Sequence, residues 1–319
     1  MTLEWAAYDA FAWSKASQSP MDERQKTALA EWAADLLHVP AAERAAAWGK
    51  ASPPGRYAAT VIRLAPDVSH PFKAEAGRAQ VEAVGLKLFK TTPDALKAAR
   101  KAVEFHTREI GRLPGLPNPR VQRSIAAGLR PDGPSALRGY VVQEWVSGES
   151  LEDCLRLIWP DKPVDAAVVR SLIEQMIGGI VIPLWQAGTI WWDVRDANYC
   201  YCAERDMLRM IDVDSLDAYT DEILLRPTQW QARDKGRLTA LARLRAMCGR
   251  LLAARKGAVK AKVEHGLREA WPLIEPALLR LGHDPVDGGA AARLALGRFI
   301  AALERSGLLG EGLRPELHP

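Results

Sequence analysis

An aspartate, an asparagine and a second aspartate stand among strand-like apolar residues in WWDVRDANYCYCAERDMLRMIDVDSL, Trp191 to Leu216. Asp193 precedes Asn198 by five positions, and Asp212 follows Asn198 by fourteen. A loop that delivers a carboxylate and, five residues on, an amide can orient or deprotonate a hydroxyl with the first and hold a cation with the second. An acid on the next strand pair can reach the same cation from the other side. Mg²⁺ takes oxygen ligands in octahedral geometry and keeps several waters, so one carboxylate, one amide and phosphate oxygens suffice.

The elements that must position these groups follow from periodicity. Residues 1–48 read as helices: Ser19 and Pro20 open one, and Leu29, Trp32, Ala33 and Leu36 recur at helical spacing. AATVIRLAP, VEAVGLKLFK, the stretch near 120–127 and LRGYVVQEWV are rich in branched apolar residues and read as strands. TTPDALKAARKAVEFHTREIGRL lies between them as a helix. After Gly148 the chain turns helical, with SLEDCLRLI and VDAAVVRSLIEQMIGGIVIPLWQAG. YCYC and MLRMID then form a hairpin around AERD, and helices broken at Pro272 and Pro276 follow from about 228.

The 319 residues are 48% apolar, enough for one large core or two lobes. A formal charge of +4 is too small and too scattered to imply nucleic acid as partner. Cys154, Cys200, Cys202 and Cys248 show no metal-ligand spacing beyond one C-x-C and read as reduced core thiols. The N-terminus carries no basic region followed by an apolar run, and no stretch of about 18 uninterrupted apolar residues exists, so the expectation is a cytoplasmic protein with no membrane span. Arg243, Arg245, Arg250, Arg255, Lys256, Lys260 and Lys262 read as a solvated helical face, with an anionic partner as the alternative.

DVRDAN resembles the catalytic loop of the protein kinase superfamily, and IDVD resembles its metal-binding segment. VGLK at 84–87 resembles the family's V-A-I-K strand, FHTREIGRL its following helix, and YVVQEWVSGESLEDCL its hinge. The resemblance runs from about 49 to 240, to a divergent, bacterial-type relative of the eukaryotic Ser/Thr kinases. It implies an α+β fold of two lobes: a helical extension at 1–48, a small sheet-plus-helix lobe at 49–145 and a mainly helical lobe at 146–319.

It also implies ATP and Mg²⁺ as cofactors and a protein, or a small hydroxyl-bearing molecule, as acceptor. Asp193 would receive the hydroxyl proton and Arg195 would bridge to the phosphoryl group. Asn198 and Asp212 would hold the metal, and Lys87, held by Glu109, would steady the phosphates. Gly55 would lie at the end of the phosphate loop and Gly85 over adenine. Gln143 would gate the adenine pocket, the backbone groups of Glu144 and Val146 would face the base, and Cys200 would form part of its floor.

Four features depart from the family pattern. Trp191-Trp192 replaces His-Arg before the catalytic aspartate, and Trp191 reads as packing. Val213-Asp214 follows Asp212, with Asp214 either a further ligand or a solvent-facing acid. The phosphate loop keeps only Gly49 and Gly55, with Pro53 and Pro54 between them. No A-P-E follows the metal segment, and Asp234 reads as a helix N-cap. A small-molecule kinase of the aminoglycoside or choline type, a pseudokinase binding module and a nucleotidyl transferase are the alternatives.

Overall fold

The computed structural model describes residues 23–36, 39–46, 48–52, 58–64, 84–90, 92, 95–99, 120–131, 137–191, 193–212, 216–218 and 239–310. The fold is α+β, and the chain divides into two compact units: Met1–Leu116 with Gln122–Val146, and Pro117–Val121 with Ser147–Pro319.

The first unit is built on an antiparallel sheet of β1 (Trp48–Ser52), β2 (Ala58–Leu64), β3 (Val84–Phe89), β4 (Ser124–Pro131) and β5 (Leu137–Glu144), in the order β1-β2-β3-β5-β4. All six residues of β3 are buried, as a central strand covered on both faces requires. Helix α1 (Glu23–Leu36) lies on this sheet: Trp32 meets Tyr140 of β5 edge-on, with ring centroids 5.2 Å apart. Arg44, just beyond α1, reaches back to Glu31 at 2.7 Å and Asp35 at 2.6 Å. Strand β1 was not expected; its Trp-Gly-Lys start and the prolines after it hide a short edge strand that pairs Ser52 with Val61. Of the expected helix at TTPDALKAARKAVEFHTREIGRL, 95–99 is helical, and 100–113 lies outside the described residues.

The second unit centres on α2 (Ala166–Gln186), 21 residues whose middle turn, Gln175–Val181, is wound in the wide π form. By length and composition α2 could cross a membrane, but Leu172, Ile173, Met176, Ile177, Ile180, Val181, Leu184 and Trp185 are all 0% exposed in the interior of the unit. Around it lie α3 (Ala240–Ala253), α4 (Lys260–Ala270), α5 (Glu275–Leu281) and α6 (Pro285–Arg305). Trp271 meets Phe299 of α6 edge-on at 5.9 Å. Pro272 and Pro276 stand at the starts of short helical pieces, where their missing N–H costs nothing.

Short strands on this unit carry the residues of interest. β6 (Glu149–Ser150), β8 (Tyr199–Cys202) and β9 (Met207–Met210) form one small sheet, and β7 (Thr189–Trp191) pairs with β10 (Leu216–Ala218). The expected hairpin is present, its turn closed by Asp206 in the left-handed region at φ 42°. Gly148 has φ +127°, and a Cβ there would stand 2.6 Å from the Tyr201 carbonyl oxygen, so only glycine fits where β6 joins β8.

Candidate active site

Asp193 stands two residues after the end of β7, and the chain from it to Asn198 folds back on itself. Asn198 Nδ2 donates to Asp193 Oδ2 at 2.6 Å and to the Asp193 carbonyl at 3.1 Å. Arg195 Nε lies 3.2 Å from the same Oδ2. Both Asp193 and Asn198 are buried, at 0% and 1% exposure. Among the described residues, Asp193 Oδ1 has no hydrogen-bond partner. A buried carboxylate with one oxygen doubly held and the other bare is costly unless a further group meets it.

The second acid is delivered by β9. Its end is fixed twice: Met210 N donates to Arg120 O at 2.7 Å, and Ile211 N donates to Asn198 O at 2.8 Å. The next residue, Asp212, adopts φ 70°, a left-handed conformation that acids and asparagine take only occasionally. Its charge reaches Asp193. Burial raises the Asp193 carboxyl to about 7; Arg195 pulls it down, Asp212 pushes it up, and Asn198 and Arg243 pull it down.

Three structural devices hold this arrangement. Trp191 is fully buried and meets Tyr199 edge-on at 4.8 Å, so it packs the strand that enters the loop. Trp192 lies outside the described residues. Gln175, from the wide turn of α2, donates to Ser171 Oγ and to the Asp206 carbonyl, each at 2.8 Å. Its Oε1 accepts from Leu208 N at 2.7 Å and from the Arg120 guanidinium. Asp206 also accepts from Ser171 Oγ at 2.6 Å and from the Tyr201 hydroxyl at 3.0 Å. The hairpin that aims Asp212 is thus pinned to the central helix.

The third device overturns the reading of a uniformly solvated basic face. Arg243 is buried at 6% exposure and its charge bears on Asp193, while Arg250 pairs with Asp196 inside the loop. Arg243 falls three residues after Ala240 and four before Met247, both buried, so it lies on the inward stripe of α3. That spacing was visible in the sequence.

Asp193, Arg195, Asn198, Cys200 and Asp212 therefore belong to the second unit, and the first four stand on one continuous loop and strand. Cys200 is buried opposite Ser150, its thiol pushed up to about 12 by burial, so it stays neutral. Lys87, Gly85, Gln143, Glu144 and Val146 belong to the first unit. Lys87 is buried, with Nζ 5.1 Å from the centroid of the Phe89 ring two residues along the same strand face. Gly85 faces Gln143, and Val84 faces Glu144, across the β3–β5 pairing. Glu144 N donates to Arg123 O at 2.8 Å, and its carbonyl accepts from Gln122 Nε2 at 2.8 Å. Val146 is buried. Glu109, Gly55, Asp214 and Asp234 lie outside the described residues.

Among the described residues no cluster of three His, Cys, Asp or Glu side chains could hold a metal by itself. The donors available beside Asp193 are instead the Asn198 amide oxygen and the Asp212 carboxylate. That set fits a hard, oxygen-seeking ion that keeps waters, as Mg²⁺ does, better than a soft metal.

No family profile matches the chain, and no curated protein does. The structure is similar to the kinase domain of ROP18 in complex with AMP-PNP and sucrose, with a TM-score of 0.46 and 13% sequence identity over 81% of this chain and 82% of that one.

Proposed function

We propose that the protein is an ATP- and Mg²⁺-dependent phosphotransferase that moves the γ-phosphoryl group to a hydroxyl, with a protein Ser or Thr as the acceptor class. The observation that carries this reading is the buried Asp193 carboxylate. Asn198 and Arg195 hold one of its oxygens, the other is bare, and Asp212 stands close enough to act on its charge.

In this mechanism Asp193 Oδ1 takes the hydroxyl proton while Oδ2 stays anchored, so the carboxylate cannot rotate away from the acceptor. An upward-shifted carboxyl is a suitable proton acceptor near neutral pH. Arg195 balances the charge and orients the transferring group. Asn198 Oδ1 and the Asp212 carboxylate would hold Mg²⁺, which when bound neutralises charge on phosphate oxygens. In the first unit the proposal gives Lys87, with Glu109, the nucleotide's phosphates. Gly55, Gly85, Gln143, Glu144 and Val146 keep their nucleotide-binding roles, as does Cys200 in the second. Catalysis of this kind is positioning and electrostatics, so losing one charged member costs on the order of 10²–10⁴ in rate.

The test is incubation of the purified protein with Mg²⁺ and γ-labelled ATP, alone and with cell extract. Asp193→Ala, Asp212→Ala and Lys87→Met run beside it. Label on protein that all three substitutions abolish supports a protein kinase. ATP consumed without label on protein, and only by the parent, points to a small-molecule acceptor. Equal silence in parent and variants sinks the phosphotransferase, and an α-labelled control reads nucleotidyl transfer.

A further inference from the structure

A cavity of about 430 Å³ opens in the second unit between the 155–163 segment and the end of α3. Leu155, Trp159, Pro160 and Pro163 form its apolar walls, and Arg250 and Arg255 supply its cations. Its size and make-up, mostly apolar with a few charged groups, are those of a small-molecule site. The walls are tied together: Val164 N donates to Ala254 O at 3.3 Å, and Lys256 N donates to Val164 O at 2.9 Å. The cavity is therefore formed before anything enters it.

The two arginines differ in their engagement. Arg255 Nε is buried without a hydrogen-bond partner, and Arg255 makes no ion pair among the described residues. Arg250 is shared: it lines the cavity, and its guanidinium pairs with Asp196 Oδ2, three residues after Asp193. Lys256 and Lys260 follow in sequence and are exposed, adding positive potential around the same end of α3. A planar guanidinium with an unused donor matches a carboxylate or a phosphate monoester, and the apolar walls require that the anion carry a hydrophobic body.

We propose that this cavity binds a small amphiphilic anion, and that the bound anion competes with Asp196 for Arg250. The site thereby reaches the loop that carries Asp193 through the Arg250–Asp196 pair. Binding itself requires neither nucleotide nor activity, so it stands or falls apart from the phosphotransferase reading.

The experiment is calorimetric titration of the full chain, without ATP or metal, by four probes: phenylbutyrate, phenyl phosphate, phenylbutanol and inorganic phosphate. Saturable binding of phenylbutyrate or phenyl phosphate is expected, at least about tenfold tighter than either the neutral alcohol or bare phosphate. Arg255→Gln is expected to weaken it by roughly tenfold, and Asp196→Asn, which releases Arg250, to tighten it several-fold. If the alcohol binds as well as the acid, or neither amphiphilic anion binds, the proposal is overturned; the comparison is made on the parent chain and needs no variant to fold. Asp196→Asn without tightening overturns the competition.

Discussion

Asn198 reaches back five residues to place its Nδ2 2.6 Å from Asp193 Oδ2, closing the loop between them into a ring. The amide thereby fixes the carboxylate, and the carboxylate fixes the amide, whose oxygen the proposal gives to the metal. Asn198→Ala removes both functions. Phosphate transfer is expected to fall by about 10²–10³ in kcat, while circular dichroism stays that of the parent. Asn198→Asp keeps an oxygen for the metal but sets a second carboxylate against Oδ2, and is expected to be as inactive.

Burial dominates the upward shift of Asp193, and the sign of its effect on stability follows. Below about pH 4 the carboxyl is protonated whether the chain is folded or unfolded. As pH rises the unfolded chain ionises first, while the folded one holds its proton until about 7. Stability of the metal-free protein should therefore decline across that window and level off above it. Melting temperatures from pH 4.5 to 8 should show a shallower decline in Asp193→Asn than in the parent. Identical slopes would remove Asp193 as the source.

Arg243 lowers the Asp193 carboxyl from within the core. Arg243→Met keeps the volume and removes the charge, so the acid limb of the rate profile should move to higher pH. Arg243→Lys should bring it most of the way back. A purely structural role would lower the rate at every pH by the same factor.

Gln175 satisfies the Leu208 amide, the Asp206 carbonyl, the Ser171 hydroxyl and Arg120 at once. Gln175→Leu fits the space but strands the buried Leu208 N–H and takes a donor from the carbonyl of Asp206, which is itself exposed. Denaturant unfolding is expected to show a loss of about 2–3 kcal/mol. A loss below about 0.5 kcal/mol would mean that water or a side-chain shift takes the amide's place.

Gly148 tolerates no side chain at φ +127° against the Tyr201 carbonyl. Gly148→Val is expected to cost about 1–3 kcal/mol from the backbone alone, with the steric overlap added. Because β6 pairs Ser150 with Cys200, the same variant should weaken nucleotide affinity if Cys200 forms part of the base's floor.

Much of this was legible in sequence because the relevant signals are local. The Tyr199–Cys202 and Met207–Met210 strands flank an Ala-Glu-Arg-Asp turn, and the structure closes that turn at Asp206. SLEDCLRLI reads as helical, and the structure starts the helix at Leu151, with the Ser150 hydroxyl capping it by accepting from Asp153 N. Non-local features were not legible. The wide turn at Gln175–Val181 exists because Gln175 and its neighbours meet the hairpin 31 to 33 residues on, and no periodicity reports that. Arg243 is a different case: its spacing from Ala240, Leu244, Met247 and Leu251 is local and puts it on the inward stripe, but its bearing on Asp193 is not. The left-handed backbone at Asp212 has no residue-type signature, since aspartate is an occasional rather than a usual occupant of that region.

That backbone also bears on how the chain can change over generations. The residues that sit at φ 70° with little penalty are glycine, asparagine and aspartate. Glycine and asparagine codons are each one nucleotide away from those of aspartate, and neither residue carries a negative charge. The commonest tolerated replacements at Asp212 therefore delete the charge while leaving the hairpin and the loop ring in place. If Asp212 holds the metal as proposed, a lineage can lose that chemistry here in one step and keep its fold.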